Sequence, residues 1–415
     1  MRSGTTSRPR RGAAGKRTRD AAAKGAEAAL RRAPRRTRAQ VSHPASADDD
    51  PMPAQEEFET LHEIVWRARK NLGQNDWDYI VGGTETETTL RRNRLALDSL
   101  ALQPRVLRDV SRIDTSVERF GRKLRLPVLL APIGALESFH AEAAAASVRA
   151  AERFGVAHML SSVCAPGLEG VAAAAPGALR FFQLYIRGDD AFVDDHVQRA
   201  IDHGYAGFCL TVDTAIYSRR ERDLAKRHVT AGRRRVSGQI HQAAADWRIV
   251  ERIKRRFDIP LMIKGIATAA DAILALERGV EWIYVSNHGG RQLDHGRGAM
   301  DLLAEIVEAV AGRAKIAVDG SICRGTDLVK AIAAGADMVG LGRMQCYGLA
   351  AKGADGVVRM LELLEDETMR CLGLLGLTGF QGLDRSFLAP APPANPPGVF
   401  SAFPLLDIPP YRYNK

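Results

Sequence analysis

The stretch WIYVSNHGGRQLD, Trp282 to Asp294, joins four consecutive apolar or aromatic residues to a polar turn with two adjacent glycines. A short apolar run bounded by turn residues is what a strand buried on both faces looks like, as in a parallel sheet. The turn carries His288, Arg291 and Asp294, while Gly289 and Gly290 let the backbone bend without side chains in the way. A buried strand that ends in a base and a cation delivers chemistry to one end of a sheet.

The same pattern recurs along the chain. Apolar runs bounded by turn residues occur at Pro127–Ala131, Ala157–Ser161, Leu179–Tyr185, Gly207–Val212, Pro260–Lys264, Trp282–Val285, Lys315–Val318 and Met338–Leu341. Between them lie segments with helical spacing, among them AEAAAASVRAAERFG, DAFVDDHVQRAIDHG, TAADAILALERGV and MDLLAEIVEAVAG, and GADGVVRMLELLEDETMRCLG follows the last run. Strand and helix alternating eight times predicts an α/β fold, a (β/α)8 TIM barrel. A doubly wound open sheet is the competing architecture, but APIGALESFH, after the first strand, lacks its glycine fingerprint. Ahead of the barrel, Phe58–Asn71 and Thr88–Leu97 are expected to be helical, with Gly73 and Asn75 ending the first pattern.

Composition sets the outer limits. A chain of 415 residues, 46% hydrophobic, can bury one large core, and no apolar run is long enough for a membrane span. Five scattered cysteines without a Cys-x-x-Cys pair point to a reducing cytoplasm and to no metal site. The net charge of +10 is local: residues 1–40 hold thirteen Arg/Lys against Asp20 and Glu27, so the rest of the chain is close to neutral. Residues 1–55 are therefore expected to be a disordered basic extension, residues 56–385 the catalytic domain with its N-terminal helices, and residues 386–415 a Pro-rich tail that wraps the domain or hangs loose. The extension reads as a non-functional leader (Met52 opens a natural helical start), as a transit peptide, or as a nucleic-acid-contacting arm.

Active sites of such barrels lie at the C-terminal strand ends. Those ends present Ser161, Gln183, Tyr185, Thr211, Asp213, Lys264, Ser286, His288, Arg291, Asp319, Gly320, Gly342 and Arg343. Singly, each is as easily a cap or a surface residue; together they converge on one mouth. Glycine turns after the last two strands, with Arg343 beside them, suit a phosphate. Gln183, Thr211 and Ser161 offer neutral hydrogen bonds to a heteroaromatic ring, and Lys264 adds a fixed positive charge. His288 can take a proton with Asp213 orienting it, and Arg291 and Arg220 can grip a carboxylate.

SNHGGRQLD, taken with RFFQLY, LTVDT, RRERD, IKGI and DGSICRGTD, resembles the FMN-dependent L-2-hydroxy-acid oxidising family, which includes glycolate and lactate oxidases, mandelate and lactate dehydrogenases and lactate monooxygenase. The likeness runs from about Leu61 to Met369 and implies a barrel with FMN at its mouth. It implies that His288 takes the substrate's proton, Asp213 stabilises the charged imidazole, and Arg291 and Arg220 bind the carboxylate. Tyr79 and Tyr185 would contact substrate, and Lys264 would sit by the electron-rich edge of the ring. Pro132, Ile133, Gly134, Ser161, Gln183, Thr211 and Ser286 would hold that ring, with Asp319, Gly320, Gly342 and Arg343 serving the ribityl and phosphate groups. The electron acceptor would be oxygen, a quinone or a cytochrome, and the assembly a homotetramer.

Three departures stand out. Cys323 replaces a common phosphate-side arginine, with Arg324 one residue too late. Val163 replaces the pocket tryptophan of glycolate oxidases, which predicts a roomier site. Gly134 replaces the alanine of simple oxidases, as in the mandelate dehydrogenase and lactate monooxygenase branches. An FMN-dependent lactate monooxygenase-type enzyme, an isomerase-type FMN barrel and a nucleic-acid-binding protein acting through the basic N-terminal extension are the alternatives. The Arg222–Trp247 segment, basic at Arg233–Arg235, reads as a mobile lid without a membrane anchor.

Overall fold

The computed structural model describes residues 57–229 and 238–408; the basic extension and the Arg233–Arg235 run lie outside the described residues. Three helices come first: α1 (Leu61–Asn71), α2 (Gln74–Val81) and α3 (Thr88–Asp98). Helix α1 starts at a capping box in which Thr60 and Glu63 satisfy each other's backbone N–H groups, and it buries Leu61, Ile64, Val65 and Ala68 on one stripe. The first helix ends at Asn71, ahead of Gly73 and Asn75 as expected, but Asn75 itself belongs to a second helix, α2, that the sequence pattern did not announce. Gly73 is the N-cap of α2, so it separates two helices rather than opening a loop.

Strand β1 (Leu100–Leu102) is followed by a hairpin, β2 (Val117–Arg119) and β3 (Arg122–Leu124), and then by the eight barrel strands. These are β4 (Val128–Leu130), β5 (Ala157–Ser161), β6 (Arg180–Leu184), β7 (Gly207–Thr211), β8 (Leu261–Ile266), β9 (Trp282–Val285), β10 (Lys315–Val318) and β11 (Met338–Leu341). They pair in parallel in chain order and close through β11 onto β4, which is the predicted (β/α)8 barrel. The predicted strands all form. Strand β8 runs two residues beyond Lys264 because a bulge at Gly265 carries it on.

Two cores hold the barrel. Outside it, Leu130, Leu160, Leu210, Ile263 and Val285 pack against the helices. Inside its lower end, Met159, Phe181, Met262 and Tyr284 fill the lumen, and the ring of Phe120 in the hairpin turn lies 4.5 Å from those of both Phe181 and Trp282, stacked on the latter. Among the described residues the hairpin covers the bottom of the barrel, and the cavity opens at the C-terminal mouth. The Pro-rich tail wraps the domain: β12 (Leu388–Pro390) pairs antiparallel with β1, Phe400 stacks on Trp77, and Phe403 is buried against His62. Residues 409–415 lie outside the described residues.

Candidate active site

The loop after β9 is built from three successive left-handed residues, His288 (φ 59°), Gly289 (64°) and Gly290 (75°). A Cβ at Gly290 would lie 2.5 Å from the backbone of Leu90, so α3 packs directly on the loop and only glycine fits. The His288 N–H donates to Ser286 Oγ at 3.1 Å, and Asn287 and Asn93 exchange amide hydrogen bonds of 2.7 and 2.9 Å. The loop is therefore fixed before any ligand arrives. Asp294, the third polar residue of the stretch, faces away from the cavity. It accepts from the backbone N–H groups of Thr86 and Thr89 at 2.9 Å and braces the start of α3.

His288 Nδ1 lies 2.9 Å from Asp213 Oδ1. A carboxylate only accepts, so Nδ1 carries the hydrogen and Nε2 keeps its lone pair. Nε2 is 3.4 Å from the Tyr185 hydroxyl, which can donate to it. Burial pushes the His288 pKa down, with Asp213 pulling the other way and Lys264 adding to the fall, so the ring is neutral at pH 7. Burial opposes the Asp213 charge, but His288 and Lys264 outweigh it and hold the carboxyl below its ordinary value. Burial, then Asp213, raises the Tyr185 pKa, so its phenol stays protonated. Gly265 makes room for this row: at φ 108°, a Cβ there would lie 2.8 Å from the Asp213 side chain.

Lys264 is buried and donates to Ser286 Oγ at 2.9 Å; Ser286 donates to Asp319 at 2.7 Å, and Lys264 lies 3.6 Å from that carboxylate. Burial would lower the lysine pKa, but Asp319 and Asp213 outweigh it and raise it, so the charge is permanent. Arg291 donates to the carbonyls of Tyr79 and Gly82, its guanidinium 4.7 Å from the centre of the Tyr79 ring; Arg220 lies 6.0 Å from the same ring. Burial, then Arg220, pushes the Arg291 pKa down to about 9, which leaves it cationic at neutral pH. Two guanidiniums thus lie by one aromatic ring, and Tyr79, packed on the edge of the core, lines the cavity with both of them.

Among the described residues, several buried polar atoms have no partner: both amide atoms of Gln183, Thr211 Oγ1, Asp213 Oδ2 and Arg220 Nε. A buried polar group left unsatisfied costs about 1–3 kcal/mol. Such atoms occur elsewhere too, as at His62 and His158. Those of Gln183, Thr211 and Asp213 stand at or just after the C-terminal ends of β6 and β7, next to cavity-lining Tyr185 and Lys264, where a ligand with donors and acceptors along its rim can satisfy them. Ser161 is buried at the end of β5, and Pro132, Ile133 and Gly134 line the cavity opposite His288. The cavity holds about 1430 Å³ including its open mouth and extends past Asp319 and Gly320 to Gly342, Arg343 and Cys323. Arg343 donates to the carbonyls of Ile80, Gly82 and Gly289, fastening the N-terminal segment to the His288 loop. Arg324 does not stand in for the missing phosphate-side arginine: it pairs with Glu367 and donates to the Ala402 carbonyl at 3.0 Å.

The structure adds residues that sequence reasoning did not pick out. Arg187, Tyr217, Phe139 and Val399 all line the cavity. Each follows a strand or sits in a tail without a distinctive motif, so nothing in the sequence marked them.

The fold and donor set define a barrel enzyme that binds a flat, phosphorylated heteroaromatic cofactor beside a small acid. Residues 68–390 match the family model described as FMN-dependent dehydrogenase. The chain is 37% identical to an L-lactate oxidase of Nostoc sp., covering 79% of this chain and 97% of that protein. It is 36% identical to glycolate oxidase 1 of Oryza sativa subsp. indica (77% and 93% covered) and 37% to a 4-hydroxymandelate oxidase of Amycolatopsis orientalis (77% and 95%). Among solved structures it resembles mandelate oxidase with 3,3-difluoro-2-hydroxy-3-phenylpropionic acid, with a TM-score of 0.75 at 37% identity, over 80% of this chain and 99% of that one. The chain belongs to the FMN-dependent dehydrogenase family. It is an FMN-dependent 2-hydroxy-acid oxidoreductase, and the unpartnered rim of Gln183 and Thr211, with Lys264 beside it, fits the polar edge of that cofactor.

Proposed function

We propose that this enzyme oxidises an L-2-hydroxy acid at C2 with His288 as the base, Asp213 and Tyr185 supporting it, and Arg291 and Arg220 holding the substrate carboxylate. The observation that carries the assignment is the Asp213–His288–Tyr185 row, with the free Nε2 facing a cavity that also holds both arginines. When bound, FMN supplies the two-electron acceptor. Nε2 takes a proton from the substrate, and Asp213 stabilises the imidazolium so formed. Tyr79, whose ring lies near both clamp arginines, would cover the carboxylate. Lys264, held by Ser286 and Asp319, faces the cofactor's electron-rich edge and favours negative charge there. Gln183, Thr211, Ser161 and the Pro132–Gly134 backbone position the ring, and Asp319, Gly320, Gly342 and Arg343 serve the ribityl phosphate.

Oxygen is the proposed acceptor, in keeping with relatives named as oxidases. A cytoplasmic location accords with five cysteines that are all buried and unbridged. No helix among the described residues is long and apolar enough to cross a membrane. Anaerobic mixing of the FMN-loaded enzyme with a panel of L-2-hydroxy acids should bleach the flavin, and readmitted oxygen should restore it with one hydrogen peroxide per turnover. His288→Gln should keep bound FMN and lose the bleaching; normal reduction by that variant refutes the role of His288.

A further inference from the structure

Four arginines line the cavity: Arg187, Arg220, Arg291 and Arg343. Elsewhere in the fold several buried and half-buried arginines are matched to carboxylates, as in Arg94–Asp327 at 2.7 Å, Arg222–Glu87 at 2.6 Å and Arg252–Asp194 at 2.8 Å, whereas the buried Arg180, at the start of β6, is held by backbone carbonyls. Those in the cavity are held by neutral groups. Arg291 and Arg343 donate to backbone carbonyls, Arg220 lies by the Tyr79 ring, and Arg187 donates to the Gln239 amide oxygen. A cation oriented by neutral acceptors keeps its charge available for an anion that arrives later. The proposed reaction uses three of the four, two on the substrate carboxylate and one at the cofactor's phosphate end. Arg187 has no task in it.

Its setting is that of a binding group. Arg187 follows β6 two residues after Tyr185, and its guanidinium lies 5.7 Å from the Tyr185 ring centre and 5.6 Å from that of Tyr217. Gln239 in turn donates to the carbonyls of Thr214 at 3.1 Å and Ala215 at 2.9 Å, so it cannot follow a wandering arginine. Arg187 Nε is buried without a partner among the described residues. The head group is immobilised one phenol ring away from the base, because the hydroxyl of that same Tyr185 is 3.4 Å from His288 Nε2. Val163 lines the same cavity and leaves more room in it than a tryptophan would.

We propose that Arg187 is a specificity-determining residue that binds a second carboxylate, so that the preferred substrates are linear L-2-hydroxy dicarboxylic acids. This rests on the reaction proposed above. The C1 carboxylate sits between Arg291 and Arg220, C2 faces His288, and the chain runs past the Tyr185 ring to a distal carboxylate on Arg187. Hydrogen bonds to charged groups are each worth about 1.5–3 kcal/mol, so this contact corresponds to about a ten- to hundredfold preference in kcat/KM.

The test uses the full-length, FMN-loaded enzyme and anaerobic stopped-flow reduction of the flavin. L-2-hydroxyglutarate and L-malate are compared with L-2-hydroxypentanoate, in which a methyl replaces the distal carboxylate. The dicarboxylates should reduce the flavin with the higher kcat/KM. Arg187→Gln should lower the dicarboxylate-to-monocarboxylate ratio of kcat/KM about tenfold or more, mostly through KM, and Arg187→Lys should recover part of it as a point charge without the fork. Titration with 2-oxoglutarate, followed by the flavin absorbance change, should show the same weakening in Arg187→Gln, whereas titration with pyruvate should not. A variant that weakens all acids alike marks Arg187 as an anchor of the Gln239 segment and overturns the inference. Reduction by monocarboxylates with no preference for a second carboxylate overturns it too, while leaving the reaction standing. If no 2-hydroxy acid reduces the flavin, both fall.

Discussion

Replacing Asp213 with Asn probes the base directly. The Asp213 carboxylate lies 2.9 Å from His288 Nδ1, and the imidazole becomes charged only after it has taken the substrate's proton. An imidazolium and a carboxylate whose charges are about 4 Å apart attract by about 4 kcal/mol at an effective dielectric of about 20. That attraction is absent with the neutral ring of the resting enzyme, so it acts on the transition state rather than on substrate binding. If roughly two-thirds of it is realised there, Asp213→Asn slows flavin reduction by about a hundredfold. Asparagine can also donate to Nδ1 and so favour the wrong tautomer, which adds to the loss. The pH profile gives a second readout. The neutral imidazole is the active form, and its folded pKa lies below the ordinary 6.5, so the rate is steady at neutral pH and falls only in a limb below 6.5. Asp213 raises that pKa, so its removal moves the limb further to acid while the rate drops at every pH. The assay is anaerobic stopped-flow reduction across pH 5–9, with the visible spectrum checking that FMN stays bound. A loss of less than about fivefold, or a limb displaced to higher pH, refutes the dyad.

Gly290→Ala places a methyl 2.5 Å from the Leu90 backbone at a left-handed φ, so the His288 loop must move; flavin reduction should fall more than about a hundredfold, as misplaced catalytic groups do, with FMN still bound. Gly134→Ala puts a methyl 2.9 Å from Val163 Cγ2 and should cost about 1–2 kcal/mol of overpacking, read as a lower melting temperature that Val163→Ala restores in the double variant. Deleting residues 394–415 removes Val399 from the cavity wall along with the buried Phe403 and the stacked Phe400, and each aromatic contributes about 1.5–3 kcal/mol of burial. The truncated enzyme should melt earlier and lose FMN about tenfold faster on dilution, followed by recovery of flavin fluorescence; unchanged release would show that the tail does not close that end.

The barrel was legible because strands buried on both faces write themselves as short apolar runs, and every run from Val128 to Leu341 became one. Helix α2 was not, because Gly73 reads the same as a stop or as an N-cap, and only the packing of Trp77 and Ile80 decides between them. The hairpin Val117–Leu124 was equally hidden: its alternation is short, and its purpose, setting Phe120 on Trp282, exists only in three dimensions. Within the site, the residue types at strand ends pointed to base, clamp and cation. The sequence could not reveal Gly265 giving way to Asp213, or Asn93 clasping Asn287 from a segment 194 residues away.

The arginines show why the remainder needs coordinates. In the sequence, Arg94, Arg187, Arg291 and Arg324 are alike, each a cation with acids a few residues off. In the fold, Arg94 and Arg324 are spent on Asp327 and Glu367, and a ligand would have to break an ion pair to recruit them. Arg291 and Arg187 are held by carbonyls and an amide, which fix direction without cancelling charge. The cost of keeping those charges partly buried without a counterion is met at folding, so less reorganisation remains when an anion binds. Partner type and place in the fold together therefore separate structural cations from receptive ones, since Arg180 is also held by carbonyls but stands at the start of β6, away from the mouth. By that criterion Arg187 stands with the substrate clamp, which is why its neutral replacement should alter which acid is oxidised more than whether the barrel folds.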